Sequence, residues 1–267
     1  MKKLLILAIV GMVLISFAGC NTNSTTQTTM SNQESEVLNE NKLVDEKINL
    51  DNATDIDVEI CAGKVSIKSY DGEEIKVTGE LSKKSKSLDI NKNGDEIKII
   101  ENRDKSKAFN MDVEENISKL DILVPSKFEG NLIFEQGAGT ADIEEIKVKN
   151  LQISCGSVKS KCNNIKFDKL NLDLGAGVFA LNLNEKCGDI EVNGGVGKLN
   201  IKMSEVGGNL KYEGGVGDID ITIPKNSPVK FLTEKGVAHC SINAKTSGEE
   251  TYVFDLAVGV GSINVRN

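Results

Sequence analysis

The chain has no Trp, a single His and three Pro, and only 4% of it is aromatic. Each scarcity removes a class of protein. With His239 alone, neither a multi-His metal centre nor a His-centred acid–base pair can be assembled. Positive charge is in the minority, with 32 Lys and Arg against 40 Asp and Glu, for a net charge of −8. That balance suits no protein whose affinity comes from neutralising nucleic-acid phosphates. No helical stripe at i, i+3, i+4, i+7 is sustained after residue 128. What is present is a 39% apolar content in steady alternation, which excludes global disorder. A length of 267 residues suffices for one large core or two small ones.

The first twenty residues read as an export signal. Lys2 and Lys3 form a positive start and residues 4–18 an apolar run, too short to cross about 30 Å of hydrocarbon comfortably. The ending Phe17-Ala18-Gly19-Cys20 resembles the bacterial lipobox, with Phe17 where Leu is usual. The resemblance implies diacylglyceration of Cys20, which becomes the mature N-terminus. The rival reading is ordinary signal cleavage after Ser16-Phe17-Ala18. Residues 21–35 (NTNSTTQTTMSNQES) are almost wholly Asn, Thr, Ser and Gln and cannot bury enough apolar surface to offset their ordering entropy. The expected organisation is therefore a signal peptide at 1–19, a lipidated Cys20 with a flexible tether to 45, and a folded domain at 46–267. Removal of the signal takes away two Lys, so the mature charge falls to −10.

The folded part repeats. Gly, any residue, apolar, any residue, apolar recurs at Gly139-Thr-Ala-Asp-Ile143, Gly177-Val-Phe-Ala-Leu181, Gly197-Lys-Leu-Asn-Ile201, Gly217-Asp-Ile-Asp-Ile221 and Gly261-Ser-Ile-Asn-Val265. Val158 and Ala238 hold the Gly slot in two further copies, so the steps are 19, 19, 20, 20, 21 and 23 residues. A second alternating phrase keeps the same step, through Leu132/Phe134, Leu151/Ile153, Leu170/Leu172, Ile190/Val192 and Leu210/Tyr212. Periods of this size mark stacked coils, and period-2 alternation marks strands with one buried face. The fold class expected is all-β, a single-chain β-solenoid (β-helix) with coils of about 19–21 residues. Stacking in chain order gives an inward column of Ile143, Cys162, Leu181, Ile201, Ile221, Ile242 and Val265. It gives an outward column of Asp142, Lys161, Asn200, Asp220 and Asn264. Residues 129–267 are the regular repeats. Residues 46–128, with Ile56/Val58/Ile60, Val65/Ile67, Ile75/Val77, Ile97/Ile99 and Leu120/Ile122/Val124, read as irregular first coils or a cap. Residues 83–86 and 102–110 read as solvated loops.

The motifs that carry chemistry elsewhere fail here in specific ways. Gly194-Gly-Val-Gly-Lys198 lacks the Ser or Thr after Lys that a phosphate loop requires, and Leu199 stands there. Gly214-Gly-Val-Gly-Asp-Ile-Asp-Ile221 is similar to the calcium nonapeptide but has Ile219 in place of the shared carboxylate. Asp218 and Asp220 are left as weak surface candidates for Ca²⁺. With Cys20 acylated, five of six cysteines remain. Cys162 and Cys240 fall on inward columns several coils apart, beyond the roughly 7 Å reach of a disulfide. Cys155 and Cys187 sit near corners and Cys61 ends an early strand. They read as free, mostly buried thiols. His239 and Cys240, as strand neighbours, face opposite ways and make no Cys/His pair. No catalytic, cofactor or metal residue is expected.

The strand–Pro signals Leu123-Val-Pro125 and Thr222-Ile-Pro224 interrupt the Gly-x-apolar-x-apolar series. With the lipobox, this pattern resembles the bacterial adhesin-like families of unknown function called toastrack domains, over about residues 48–267. The resemblance implies a β-solenoid at the cell surface, with roles in adhesion or envelope-stress signalling and no known catalytic residues.

The expected function is accordingly a non-enzymatic protein, lipid-anchored on the outer face of the bacterial cell membrane, whose solenoid presents an interaction surface. One alternative is an envelope-stress regulator that binds a membrane partner; a third is an enzyme acting on polysaccharide. The last repeat, residues 261–267, is expected to leave an open edge for a second copy or an extended strand. A single acyl chain holds a protein only marginally, so stable anchoring needs at least two, as diacylglyceryl-Cys20 provides. Cys20→Ala should move the protein from the membrane fraction to the medium or leave it unprocessed. Unchanged mass and unchanged attachment would contradict the anchor.

Overall fold

The computed structural model describes residues 42–103 and 117–267. The signal peptide, Cys20 and residues 20–41 of the tether lie outside the described residues, as do residues 104–110 of the loop expected at 102–110. Among the described residues there is no helix. The N-terminal part contains β1 (Lys42–Asn49), β2 (Asp55–Tyr70), β3 (Glu74–Leu81), β4 (Ser85–Asn93), β5 (Glu96–Arg103) and β6 (Ser118–Pro125). The repeats contain β7 (Asn131–Glu144), β8 (Asn150–Asn163), β9 (Lys169–Leu183) and β10 (Asp189–Met203). They end with β11 (Leu210–Thr222), β12 (Val229–Ile242) and β13 (Tyr252–Arg266).

The repeats are the parallel coils of a β-solenoid. β7, β8, β9, β10 and β11 pair in chain order, with Gly139, Val158, Gly177, Gly197 and Gly217 opposite one another. Parallel stacking in register follows from the pattern, because a one-residue slip would turn every apolar side chain outward. The inward column Ile143, Cys162, Leu181, Ile201, Ile221 and Val265 is buried at every position. A second column runs through Leu132, Leu151, Leu170, Ile190, Leu210 and Phe254, also buried. Outward positions are tied coil to coil by polar contacts. Asn150 Nδ2 donates to Asn131 at 2.8 Å, Asn182 Nδ2 to Asn163 at 2.7 Å, and Asn264 Nδ2 to Asp220 at 3.1 Å.

The coil order departs from the chain order at the end. β13, not β12, lies on β11, and β12 lies outside β13. Ile242 therefore sits beyond Val265 rather than between Ile221 and Val265, and it is exposed. Residues 261–267 are interior to the stack, and the edge expected there belongs to β12. The side chains account for the order. At core-facing positions β13 carries Leu256 and Val258, both buried, where β12 carries Thr233 and Lys235, both exposed. The coil with polar groups facing the core takes the end, where those groups meet water.

The first coils are more regular than the sequence suggests. β2 pairs with β7 in the repeat register, Gly63 opposite Gly139, so β2 is the first coil. β5 and β6 pair in parallel with the two halves of β2, and β1, β3 and β4 complete this end with antiparallel pairings. The first strand begins at Lys42, ahead of the boundary expected at 46. Ser85 opens β4 and is buried, and Asn102 and Arg103 belong to β5, so neither expected loop covers its full span. Cys61 lies within β2 rather than at its end, and it is exposed.

Ile201, 2% exposed, is held between Leu181 and Ile221. Ile201→Asp buries an unpaired carboxylate and should destabilise the fold by several kcal/mol. Asn200→Asp, one residue away and facing out, should change stability by no more than about 0.5 kcal/mol. Equal shifts in thermal midpoint for the two variants would contradict the register.

Candidate functional site

The corner of each coil is the most distinctive surface the repeats produce. Every coil-to-coil ladder skips one residue there, and in β7 to β13 the skipped residues are Gly137, Gly156, Gly175, Gly195, Gly215, Gly236 and Gly259. Two residues later stands the Gly slot found from the repeat. The corner is thus Gly-x-Gly in most coils, and the neighbouring coil's backbone leaves no space for more. A Cβ on Gly195 would lie 2.1 Å from the Gly175 carbonyl oxygen. A Cβ on Gly177 would lie 1.9 Å from that of Val158, and Gly177 also has a φ of 120°, open to Gly at little cost. The first of these glycine columns was not read from the sequence, although each member stands two residues before a slot that was.

Between the two glycine columns runs a third, formed by the middle residue of each corner. It passes from Ala138 through Ser157, Ala176, Val196, Val216 and Val260 to Val237. The four valines are 58%, 49%, 48% and 81% exposed in that order. With bare backbone on both sides, these side chains form an apolar ridge with a rise of about 4.8 Å per coil. Elsewhere the outward faces carry charge. Lys68 pairs with Glu144 at 2.9 Å, Lys211 with Glu213 at 2.8 Å, and Lys198 with Asp220 at 2.5 Å. The last contact holds the Asp220 carboxyl below its ordinary range.

The depression beside the ridge, lined by Gly175, Gly177, Val178, Gly195, Val196 and Tyr212, encloses about 30 Å³. That is room for a water molecule, against the several hundred Å³ of a small-molecule site. The Gly194–Lys198 segment lies inside β10 and leads into strand, not helix, which removes the phosphate-loop geometry. Ile219 is fully buried. Asp218 accepts from Ser262 Oγ at 2.6 Å, and Asp220 is held by Lys198 and Asn264. Among the described residues no three His, Cys, Asp or Glu side chains gather as a metal cage. Cys155, Cys162 and Cys187 are buried free thiols and Cys240 is partly buried. Burial pushes the Cys155 thiol up to about 12 and raises Cys162 as well, which keeps both from acting as thiolates. His239 is exposed while Cys240 turns toward the core.

The two ends of the stack differ. On β2 the two arms are covered by β5 and β6, and the corner between them is closed by Glu101. The Glu101 side chain is fully buried. Its carboxylate accepts from the backbone N–H of Cys61 at 2.8 Å and of Ala62 at 3.4 Å. It also accepts from Ser85 Oγ and Ser118 Oγ, and Arg103 Nε lies 3.4 Å away. A buried carboxylate is tolerable only when so fully bonded. Glu101 thus stands in for the backbone carbonyls a preceding coil would supply. Sequence reasoning missed it, because the five partners come from four strands. At the other end, no strand among the described residues pairs with the outer edge of β12.

The family model described as Toastrack DUF4097 matches residues 46–254. Among solved structures, the chain is similar to a candidate cell adhesion protein from Clostridium sporogenes, at 16% identity and a TM-score of 0.44 over 85% of this chain and 99% of that one. It is similar to a candidate adhesin from Bacteroides fragilis, at 16% identity and a TM-score of 0.44 over 84% and 97%. A candidate adhesin from Parabacteroides distasonis matches at 13% identity and a TM-score of 0.35 over 85% and 98%. No curated protein sequence matches the chain.

Proposed function

As the chain belongs to the Toastrack DUF4097 family, we propose that it is an exported, lipid-anchored, non-enzymatic protein whose solenoid is an adhesive surface. The single observation that carries this reading is the ridge Ala176, Val196, Val216, Val260 and Val237. Isolated exposed apolar side chains are ordinary, whereas a continuous row of them marks a contact surface. The outward faces carry charged side chains, several engaged in ion pairs of their own, so the ridge is where a partner gains most from excluding water. Cys20, placed before a polar tether, supplies the attachment that keeps such a surface at the membrane. A glycosidase would need two carboxylates flanking a cleft. Asp220 and Glu144 are instead engaged with lysines of neighbouring coils.

The test is retention of the purified protein on washed envelope fragments of the bacterium that makes it. Val196→Asp with Val216→Asp should lower retention by about tenfold or more. Both side chains are exposed, so the thermal midpoint should hardly move. Equal retention of parent and variant, or no retention of the parent, would overturn the reading. Release of soluble sugar during the incubation would favour the enzyme instead.

A further inference from the structure

We propose that the outer edge of β12 pairs with β12 of a second copy of this chain, antiparallel, about a two-fold axis through the corner. The starting observation is the difference between the ends. The first coil is covered on both arms and at its corner by β5, β6 and Glu101. The last coil carries a row of backbone N–H and C=O groups with no strand beside it among the described residues, which is a template for strand addition. Several side chains along this edge are apolar. Leu232, Val237 and Ile242 are 44%, 81% and 37% exposed. Phe231, Ala238 and Cys240 pack on the core but are covered only in part. The opposite rim of the sheet, β1, is instead blunted by charge, with Lys42, Asp45, Glu46 and Lys47.

The shape of the edge selects the occupant. β12 bends at Gly236, the residue its ladder to β13 skips. A straight extended peptide would cover one arm and leave the other open. A second β12, related by a two-fold axis through the corner, bends at the same place by symmetry and covers both arms. The skipped residue also keeps the faces matched. Core-facing positions are Val229, Phe231, Thr233 and Lys235 before the corner, and Ala238, Cys240 and Ile242 after it. Antiparallel pairing about the corner therefore brings Phe231 against Ile242 inside and Leu232 against Ser241 outside.

Charge agrees with this arrangement. The first arm carries Lys230, Glu234 and Lys235, whereas residues 237–242 contain no Asp, Glu, Lys or Arg. The two-fold axis lays each charged arm on an uncharged one, so no two lysines meet. Glu234 faces His239 and Lys235 faces Ala238, and the Lys230 ammonium is already held by Glu250 at 2.8 Å. The result is an isologous dimer in which each patch meets its own copy. The two solenoids join end to end at Val237, the last member of the ridge, and leave Val196 and Val216 clear of the interface.

The test uses the full chain with Cys20→Ala, Cys61→Ser and Cys240→Ser, which leaves only buried native thiols. Two versions are made, one with Leu232→Cys and one with Ser241→Cys, and oxidised separately and mixed. The mixture should give a disulfide-linked dimer and each version alone about tenfold less, because only the mixed pair stands opposite. Light scattering on the unmodified chain in detergent should show a dimer, and Leu232→Lys should convert it to a monomer. A monomer at every concentration would overturn the proposal. So would a dimer indifferent to Leu232→Lys, or cross-links that form equally in the separate and mixed samples.

Discussion

The distance between one corner backbone and the next is the constraint on which the rest of the structure depends. Parallel coils hydrogen-bond only when their backbones approach to about 4.8 Å along the whole turn. At the corner the chain bends, so a side chain pointing along the stack would strike the carbonyl of the preceding coil. Glycine columns on both sides of the bend remove that conflict, as the Gly195 to Gly175 and Gly177 to Val158 approaches show. Val158 and Ala238 prove the tolerance of single layers: both sit in the second column without a positive φ. The straight arms are held by ordinary apolar burial, which many sequences could supply.

From that constraint follows where function can lie. Glycines fix the two sides of the corner and leave only the middle residue free to vary, and that residue is exposed. It changes from Ala and Ser in the early coils to Val in the last four. The ridge is therefore a product of the stacking rule, and its apolar content increases toward the open end. A stack built this way must also end somewhere. One end is closed with a buried Glu101 in place of backbone acceptors, and the other is left with β12.

Much of the fold was legible in the sequence because its two signals are local. Alternation of period 2 and a recurring Gly located β7 to β13 and placed Ile143, Cys162, Leu181, Ile201 and Ile221 inside. Coil order at the end was not legible from spacing, since steps of 21 and 23 residues fit either order. It was legible in residue type, since Thr233 stands where every other coil puts a large apolar group, and Lys235 where β13 puts Val258. The first coil was hidden because its partners are distant, with Gly63 opposite Gly139. Glu101 was hidden for the same reason. A lone acidic residue in a strand gives no sign that Cys61, Ser85 and Ser118 will converge on it. The ridge was half visible: the valines of Gly-Gly-Val-Gly recur at 196 and 216 in the sequence, but their exposure is a property of the bend.

The measurement that tests the corner constraint most directly is the thermal stability of Gly195→Ala beside Val196→Ala. Gly195 has no positive φ, so its only obstacle to a Cβ is the neighbouring coil. Where a glycine is free of such contact, Ala stabilises by about 0.4–1 kcal/mol through the unfolded state. The prediction here has the opposite sign: Gly195→Ala should destabilise by more than about 1 kcal/mol, lowering the thermal midpoint by at least about 2 °C. Val196→Ala should stay within about 0.5 kcal/mol of the parent. A Gly195→Ala protein as stable as the parent, or more stable, would contradict the account.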